Sequence, residues 1–168
     1  TQVAPLRLYL LGRVIGHGGY AYDSVAMSCL DRHYAGFDLE TVTRHEATHV
    51  LDGLLLESYP PSVLREGLAT YMGGGHYKPE PIPQRTAALL DLELYVPLQA
   101  LADDFYRQQH EVGYIEGAGF VAFLVWSLRV ARQDGRDDFA QEVATWMPPP
   151  IATGAAALWI GVGLLARL

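Results

Sequence analysis

Residues 39 to 72 read LETVTRHEATHVLDGLLLESYPPSVLREGLATYM, two stretches of helical periodicity separated by a pair of prolines. Apolar residues recur at helical spacing from Leu39 to Leu56, and Asp38 is a suitable N-cap for that helix. The prolines at positions 60 and 61 end the pattern, and Ser62 can cap a second helix that runs to about Met72, before three glycines. The stretch therefore predicts two helices joined by a tight turn.

The first of these helices contains the motif H-E-x-x-H. Residues four apart on a helix point the same way, so His45 and His49 can bind one metal ion from consecutive turns. Zn²⁺ accepts imidazole nitrogen and takes four ligands, one of them water at a catalytic site. Glu46 is rotated by about 100° from His45, so it is predicted as the general base that takes a proton from that water. A solvated helical face that carries His and Glu is the alternative.

A zinc ion held by two histidines needs a third protein ligand, and the second helix offers Glu66. The proline turn lets this helix fold back against the first and bring the Glu66 carboxylate to the metal. Gly67 and Ala69 are small residues that allow the two helices to approach closely. The predicted ligand set is therefore His45, His49 and Glu66.

The bulk composition limits the classes of function. A chain of 168 residues with 50% apolar composition is long enough for one domain with a core. Its formal net charge of −7 argues against nucleic acid as the main partner, because neutralising phosphate needs clustered Lys and Arg. The single cysteine, Cys29, cannot form an internal disulfide and leaves the compartment open.

Strand signals are concentrated near the start of the chain. Leu6–Leu11 and Val25–Leu30 read as strands, and Gly16–Tyr22 between them reads as a glycine-rich loop. The rest is predominantly helical, with further helices predicted around residues 85–93, 98–108, 114–133 and 137–147. The predicted fold class is α+β, a small sheet followed by a helical body.

The end of the chain forms a separate segment. Pro148, Pro149 and Pro150 are a stiff linker, so we predict a domain over residues 1–147 and an apolar segment over 148–168. Ile151–Leu168 has Arg167 as its only charge and reaches the lower length limit for a membrane helix. A buried C-terminal helix and a helix docked on a membrane protein or other partner are the alternatives. This segment favours an extracytoplasmic or membrane-associated location over a cytoplasmic one.

The combination of HEATH and REGLA resembles the gluzincin branch of the zincin metallopeptidases, in particular the peptidase MA-like domains. Two later segments also match that pattern: VPLQAL at 96–101 and YIEGAGFVAFLV at 114–125. The resemblance covers about residues 6–130 with order and spacing kept. It implies a zincin-like fold, in which a small, mostly antiparallel N-terminal sheet packs on a helical body, and it implies a peptide or protein substrate.

The resemblance also implies roles for individual residues. His45, His49 and Glu66 would be the zinc ligands and Glu46 the base. A Tyr or His often stabilises the oxyanion in gluzincins, which points first to Tyr114, with Tyr71 and His76 as alternatives. Zincins commonly bind an extended peptide along an edge strand, and Val25–Leu30 is the candidate, with an ordinary internal strand as the alternative.

The chain departs from the family pattern around the ligands. Some gluzincins have an acid four residues after the ligand Glu, where this chain has Thr70. Asp52, one turn after His49, is the candidate for accepting a ligand histidine's second N–H, with an exposed helix acid as the alternative. His17 lies in the glycine-rich loop and could line a cleft, whereas His33 and His110 are expected to be solvated.

Two other functions compete with a peptidase. The domain could be a catalytically silent structural or assembly subunit that docks through Ile151–Leu168. It could also be a helical binding module without metal. Glu46 favours the enzyme, since a purely structural metal site has no need of a general base.

Overall fold

A computed structural model of the chain describes residues 8–11, 19–21, 24–28, 39–56, 60–136 and 145. In these residues three short strands precede five α-helices. The strands are β1 (Leu8–Leu11), β2 (Gly19–Ala21) and β3 (Val25–Ser28). The helices are α1 (Leu39–Leu55), α2 (Ser62–Gly73), α3 (Ile82–Asp91), α4 (Leu98–Asp103) and α5 (His110–Gln133), with a 3-10 turn (Phe105–Arg107) between the last two.

The predicted α+β class with a mostly antiparallel N-terminal sheet is wrong. The described part of the chain is mostly helical, and its strands are only three or four residues long. They lie in the order β1-β3-β2, with β1 parallel and β2 antiparallel to β3. Strands this short carry few ladder hydrogen bonds, so helix packing organises the described residues. The zincin-like architecture implied by the resemblance is therefore not seen in them.

Of the two alternatives for Val25–Leu30, an edge strand that binds a peptide and an internal strand, the first is wrong. Its described part, β3, is the central strand, and Met27 pairs with Leu10 on one side and with Gly19 on the other. Both sides of the β3 backbone are therefore occupied, which leaves no room for an extended peptide. Strand β2 is not predicted from the sequence, because its residues lie inside the glycine-rich stretch 16–22, whose composition is typical of a loop.

The two central helices confirm the prediction made from residues 39–72. α1 ends one residue before the predicted end, and α2 begins at Ser62. Ser62 is not the cap, however: Pro61 occupies the N-cap position, with extended backbone angles (φ −49°, ψ 146°). Gly74 ends α2 in a left-handed conformation (φ 82°), and its N–H donates hydrogen bonds to the carbonyls of Thr70 and Tyr71.

The main core forms where α2 crosses α5. Gly67 and Gly117 meet at the crossing, since a Cβ on Gly67 would lie 2.5 Å from the Gly117 carbonyl. Residues at such a contact must lack side chains for the helix backbones to touch. The buried cluster beside the crossing consists of Val63, Leu64, Leu101, Phe105 and Leu124. This packing fixes the position of α2, and with it the residue that precedes Gly67, Glu66.

Helix α5 begins four residues earlier than predicted, because the Gln109 side chain accepts a hydrogen bond from the backbone N–H of Val112 and caps it. With 24 residues, α5 is the one helix in the described ranges that is long and apolar enough to cross a membrane, a test that core helices also pass. Here it packs against α2 and α3 and has a core role. The predicted helix at 137–147, the domain boundary after residue 147 and Ile151–Leu168 lie outside the described residues.

Candidate metal centre

Three predicted ligands converge between α1 and α2. His45 Nε2 lies 3.2 Å from His49 Nε2, and the Glu66 Oε2 atom lies 3.4 Å from the first of these nitrogens and 3.3 Å from the second. A tetrahedral zinc ion with bonds of about 2.0–2.1 Å separates its donor atoms by about 3.3 Å. The three atoms thus form a triangle of the size that one face of a zinc tetrahedron requires.

The helices place these donors by simple geometry. His45 and His49 are one helical turn apart on α1, and their rings meet edge to face with centroids 4.9 Å apart. Gly73 of α2 lies against α1, where a Cβ would come within 3.1 Å of the Thr41 carbonyl oxygen. This close contact brings the two helices together. The exposed fraction of the side chain is 15% for His45, 11% for His49 and 9% for Glu66, so the group lies at the edge of the core.

Charge interactions within the group shift the pKa values of its members. Burial alone would raise the pKa of Glu66, but hydrogen bonds with His45, His49 and Tyr106 outweigh burial and lower it below its usual range. Burial would lower the pKa of His49, and the Glu66 carboxylate and the charge of Glu46 raise it instead. Glu66 is therefore ionised at neutral pH, as a metal ligand must be.

Glu46, the predicted base, is buried in α1 next to His45. Its negative charge is one of the causes that raise the pKa of His49, after the interactions with Glu66. Glu46 is not one of the three residues of the donor group, and its role as the base stays a prediction.

No hydrogen bond joins Asp52 to the ligand histidine in the described part of the chain. Asp52 is buried, and the Oδ2 atom has no hydrogen-bond partner among the described residues; the same is true of the Nδ1 atom of His49. Burial raises the pKa of Asp52 to about 6, and the charges of His49 and Arg65 offset part of that effect. Asp52 therefore does not serve as the predicted acceptor for the ligand histidine.

Tyr106 is a site residue that the sequence did not reveal. It lies in the 3-10 turn before α5, and its hydroxyl donates a 2.8 Å hydrogen bond to Oε1 of Glu66, the oxygen that does not face the histidines. Burial and the Glu66 charge raise the pKa of Tyr106 to about 12, so the hydroxyl keeps its proton. A contact across 40 positions, from a turn without a motif, leaves no signal in the sequence.

Tyr114 lies beside the donor group, and the alternative Tyr71 does not. The Tyr114 ring stacks near His45, with centroids 6.2 Å apart and planes 26° apart. Burial and then interaction with Glu66 raise the pKa of Tyr114 above its usual range. Tyr71 packs instead against the apolar cluster of Ile82, Ile115 and Ala118. Of the two tyrosines, Tyr114 is the one that lies beside the donor group.

His76, the other alternative, stacks on Tyr114 with centroids 4.5 Å apart and belongs to a second cluster of polar side chains. In that cluster Glu111 is paired with Arg85 and lies 3.4 Å from His76 Nδ1. His110 is exposed, as expected for a solvated residue, but its ring also lies against the His76 and Tyr114 rings. His17, His33 and Cys29 lie outside the described residues.

The geometry shows a group of two imidazoles and one carboxylate that can hold a metal ion. No protein-family model matches the chain, and comparisons with curated proteins and with solved structures found no match either. The functional conclusion therefore depends on the chemistry of the site.

Proposed function

We propose that the chain is a zinc-dependent peptidase, with His45, His49 and Glu66 as the metal ligands and Glu46 as the general base. The observation that carries the proposal is the triangle of donor atoms, with sides of 3.2, 3.3 and 3.4 Å. Two imidazoles and one carboxylate are a ligand set of catalytic zinc sites, in which water takes the fourth position. The gluzincin-like order of HEATH and REGLA supports the same assignment.

Each residue of the site has a distinct task in this proposal. A bound zinc ion would supply Lewis acidity that polarises the peptide carbonyl and acidifies a water molecule. Glu46 would take the proton of the attacking water and deliver it to the leaving amine nitrogen. The Tyr114 hydroxyl would donate a hydrogen bond to the carbonyl oxygen as negative charge develops there, and its raised pKa keeps it protonated for that purpose.

Tyr106 orients one of the three ligands, Glu66. Its hydrogen bond to Oε1 of Glu66 fixes the orientation of the carboxylate and leaves Oε2 facing the two histidines. Partners of this kind orient metal ligands, and they usually contribute substantially to affinity. Tyr106 is therefore a positioning residue, whereas Glu46 and Tyr114 act on the substrate.

The substitution Glu46→Gln tests the proposal, with Glu40→Gln as a matched control. Glu40 lies on the same helix but is exposed and paired with Arg44, away from the donor group. We expect Glu46→Gln to retain zinc and to lose roughly 10²–10⁴-fold in peptide hydrolysis, because the general base is removed. The control should match the wild type. The measurements are turnover of a fluorogenic peptide mixture and zinc content.

A wild-type protein that binds zinc fully and cleaves no peptide would contradict the proposal. So would a Glu46→Gln variant that keeps wild-type turnover. The first result would favour the silent structural or assembly subunit, in which the metal only joins α1 to α2.

A further inference from the structure

A second group of donor side chains lies beside Tyr114. His76 follows the end of α2, and His110 and Glu111 are the first two residues of α5. One donor atom from each of the three lies within 4.8 Å of the others. None of the three belongs to the His45, His49 and Glu66 group, so the cluster is a separate set of two imidazoles and one carboxylate.

One pair of donor atoms in the second group has the same separation as the pairs in the first. His76 Nδ1 lies 3.4 Å from Oε2 of Glu111, close to the separation of about 3.3 Å between donors on one tetrahedral zinc ion. The His76 side chain is only 7% exposed, and its Nδ1 has no hydrogen-bond partner among the described residues. A buried nitrogen that lacks a hydrogen bond is costly, and coordination of a cation would satisfy it.

Arg85 of α3 holds this group in place. Its guanidinium donates a 2.8 Å hydrogen bond from Nη1 to the His76 carbonyl and is paired through Nη2 with Oε1 of Glu111. The carboxylate is thereby fixed with Oε2 turned towards His76. Arg85 therefore connects two of the donors and leaves the donor oxygen unblocked.

The same arginine sets a limit on affinity. Arg85 and the N-terminus of α5 both place positive charge beside the group, and a cation bound there is repelled by each. In the first group the neutral hydroxyl of Tyr106 binds Oε1 of the carboxylate. We therefore expect the second group to bind a cation more weakly than the first.

We propose that His76, His110 and Glu111 form a second, weaker site for a divalent cation. Two imidazoles favour zinc and similar transition metals over magnesium and calcium, which prefer oxygen ligands. His110 is exposed, so an ion reaches the group from solvent. The two groups share Tyr114 as a neighbour but share no ligand, so each site can be removed without the other.

Titration of the metal-free full chain with Zn²⁺ alone, followed by calorimetry and by elemental analysis after dialysis, tests this site. The wild type should take up two equivalents, with the second bound at least roughly tenfold more weakly. His110→Ala removes an exposed ligand at little structural cost and should weaken only the second equivalent, by at least roughly tenfold. His45→Ala should lose the tight equivalent and keep the weak one.

Glu111→Gln provides a second variant, and Glu80→Gln is its control because Glu80 is exposed and outside both groups. Glu111→Gln should weaken the second equivalent and Glu80→Gln should leave it unchanged. A single equivalent in the wild type would overturn the proposal. So would a second equivalent that survives both His110→Ala and Glu111→Gln, which would indicate adventitious binding elsewhere. Neither result depends on peptidase activity.

Discussion

Replacing Gly67 by alanine sets two physical effects against each other. Alanine is favoured over glycine inside a helix by about 1 kcal/mol, so propensity alone predicts a more stable protein. The new Cβ, however, would lie 2.5 Å from both the carbonyl carbon and the oxygen of Gly117. The contact atoms are backbone, so no side chain can rotate away. The packing of α2 against α5 therefore predicts a less stable protein.

The magnitude follows from the distance. Restoring an ordinary contact of 3.4 Å requires α2 and α5 to separate by roughly 0.9 Å at their crossing. Overpacking of this kind costs about 1–3 kcal/mol, and a contact between backbones belongs at the upper end of that range. After subtraction of the propensity gain, we expect a net loss of about 1–2 kcal/mol. For a chain of this length that corresponds to a fall in Tm of about 2–8 °C.

Thermal unfolding of the metal-free protein, followed by circular dichroism, measures this loss. Gly75→Ala is the control, because a Cβ there would meet only the Lys78 carbonyl oxygen, at 3.9 Å. Since Gly67 follows Glu66 directly, Gly67→Ala should also weaken zinc binding. A variant with an unchanged or higher Tm would refute the close crossing of α2 and α5, and with it the packing that positions Glu66.

Three further substitutions test other parts of the structure. Tyr106→Phe removes the hydrogen bond to Oε1 of Glu66 and should lower zinc affinity roughly 10–100-fold in a competitive chelator titration, whereas the exposed Tyr95→Phe should not. Asp52→Asn should stabilise the protein at pH 7 by roughly 1–2 kcal/mol and lose that advantage below about pH 4 in thermal melts. Leu101→Ala, at a residue only 1% exposed, should cost about 2–5 kcal/mol in denaturant unfolding, and Leu94→Ala at 58% exposure should cost little.

The sign of the Asp52 prediction follows from its pKa, which burial raises from 3.8 to about 6. The folded state binds this proton more tightly than the unfolded chain does, so ionised Asp52 destabilises the fold above about pH 6. This loss of folding stability decreases as the pH falls from about 6 towards 3.8, where Asp52 becomes protonated in the unfolded chain as well. An Asp52→Asn variant that is less stable than the wild type at pH 7 would contradict this reasoning. Asp91→Asn, at an exposed position, serves as the control.

The predictions for Tyr106→Phe and Leu101→Ala can each be contradicted by one result. Unchanged zinc affinity in Tyr106→Phe would mean that Glu66 is held without the tyrosine. Equal effects of Leu101→Ala and Leu94→Ala would mean that Leu101 does not lie in the core formed by α2, α4 and α5.

The sequence predicted those parts of the molecule that depend on local spacing. His45 and His49 share a helix face because they are four positions apart, and Glu66 lies one turn into the next helix, which begins directly after Pro61. These features depend on helix periodicity and on proline, and both are visible in a single sequence.

Contacts between distant positions were not predictable in the same way. The pairing of β3 with β1 and β2 depends on non-local partners, so a strand expected at an edge lies in the centre. Tyr106 meets Glu66 across 40 positions, and Arg85 meets Glu111 across 26. Neither pair follows a periodic pattern. The loop predicted from the glycines at residues 16–22 is also partly wrong, because residues 19–21 form a strand within that stretch.

The most direct test of the central claim is the zinc content of the purified chain, measured by elemental analysis for the wild type, His45→Ala and Glu66→Ala. The triangle of donor atoms predicts one tightly bound zinc ion per wild-type chain and loss of that ion in both variants. A wild-type chain that binds no zinc tightly, even after reconstitution, would contradict the claim. Zinc that survives Glu66→Ala would exclude Glu66 as the third ligand.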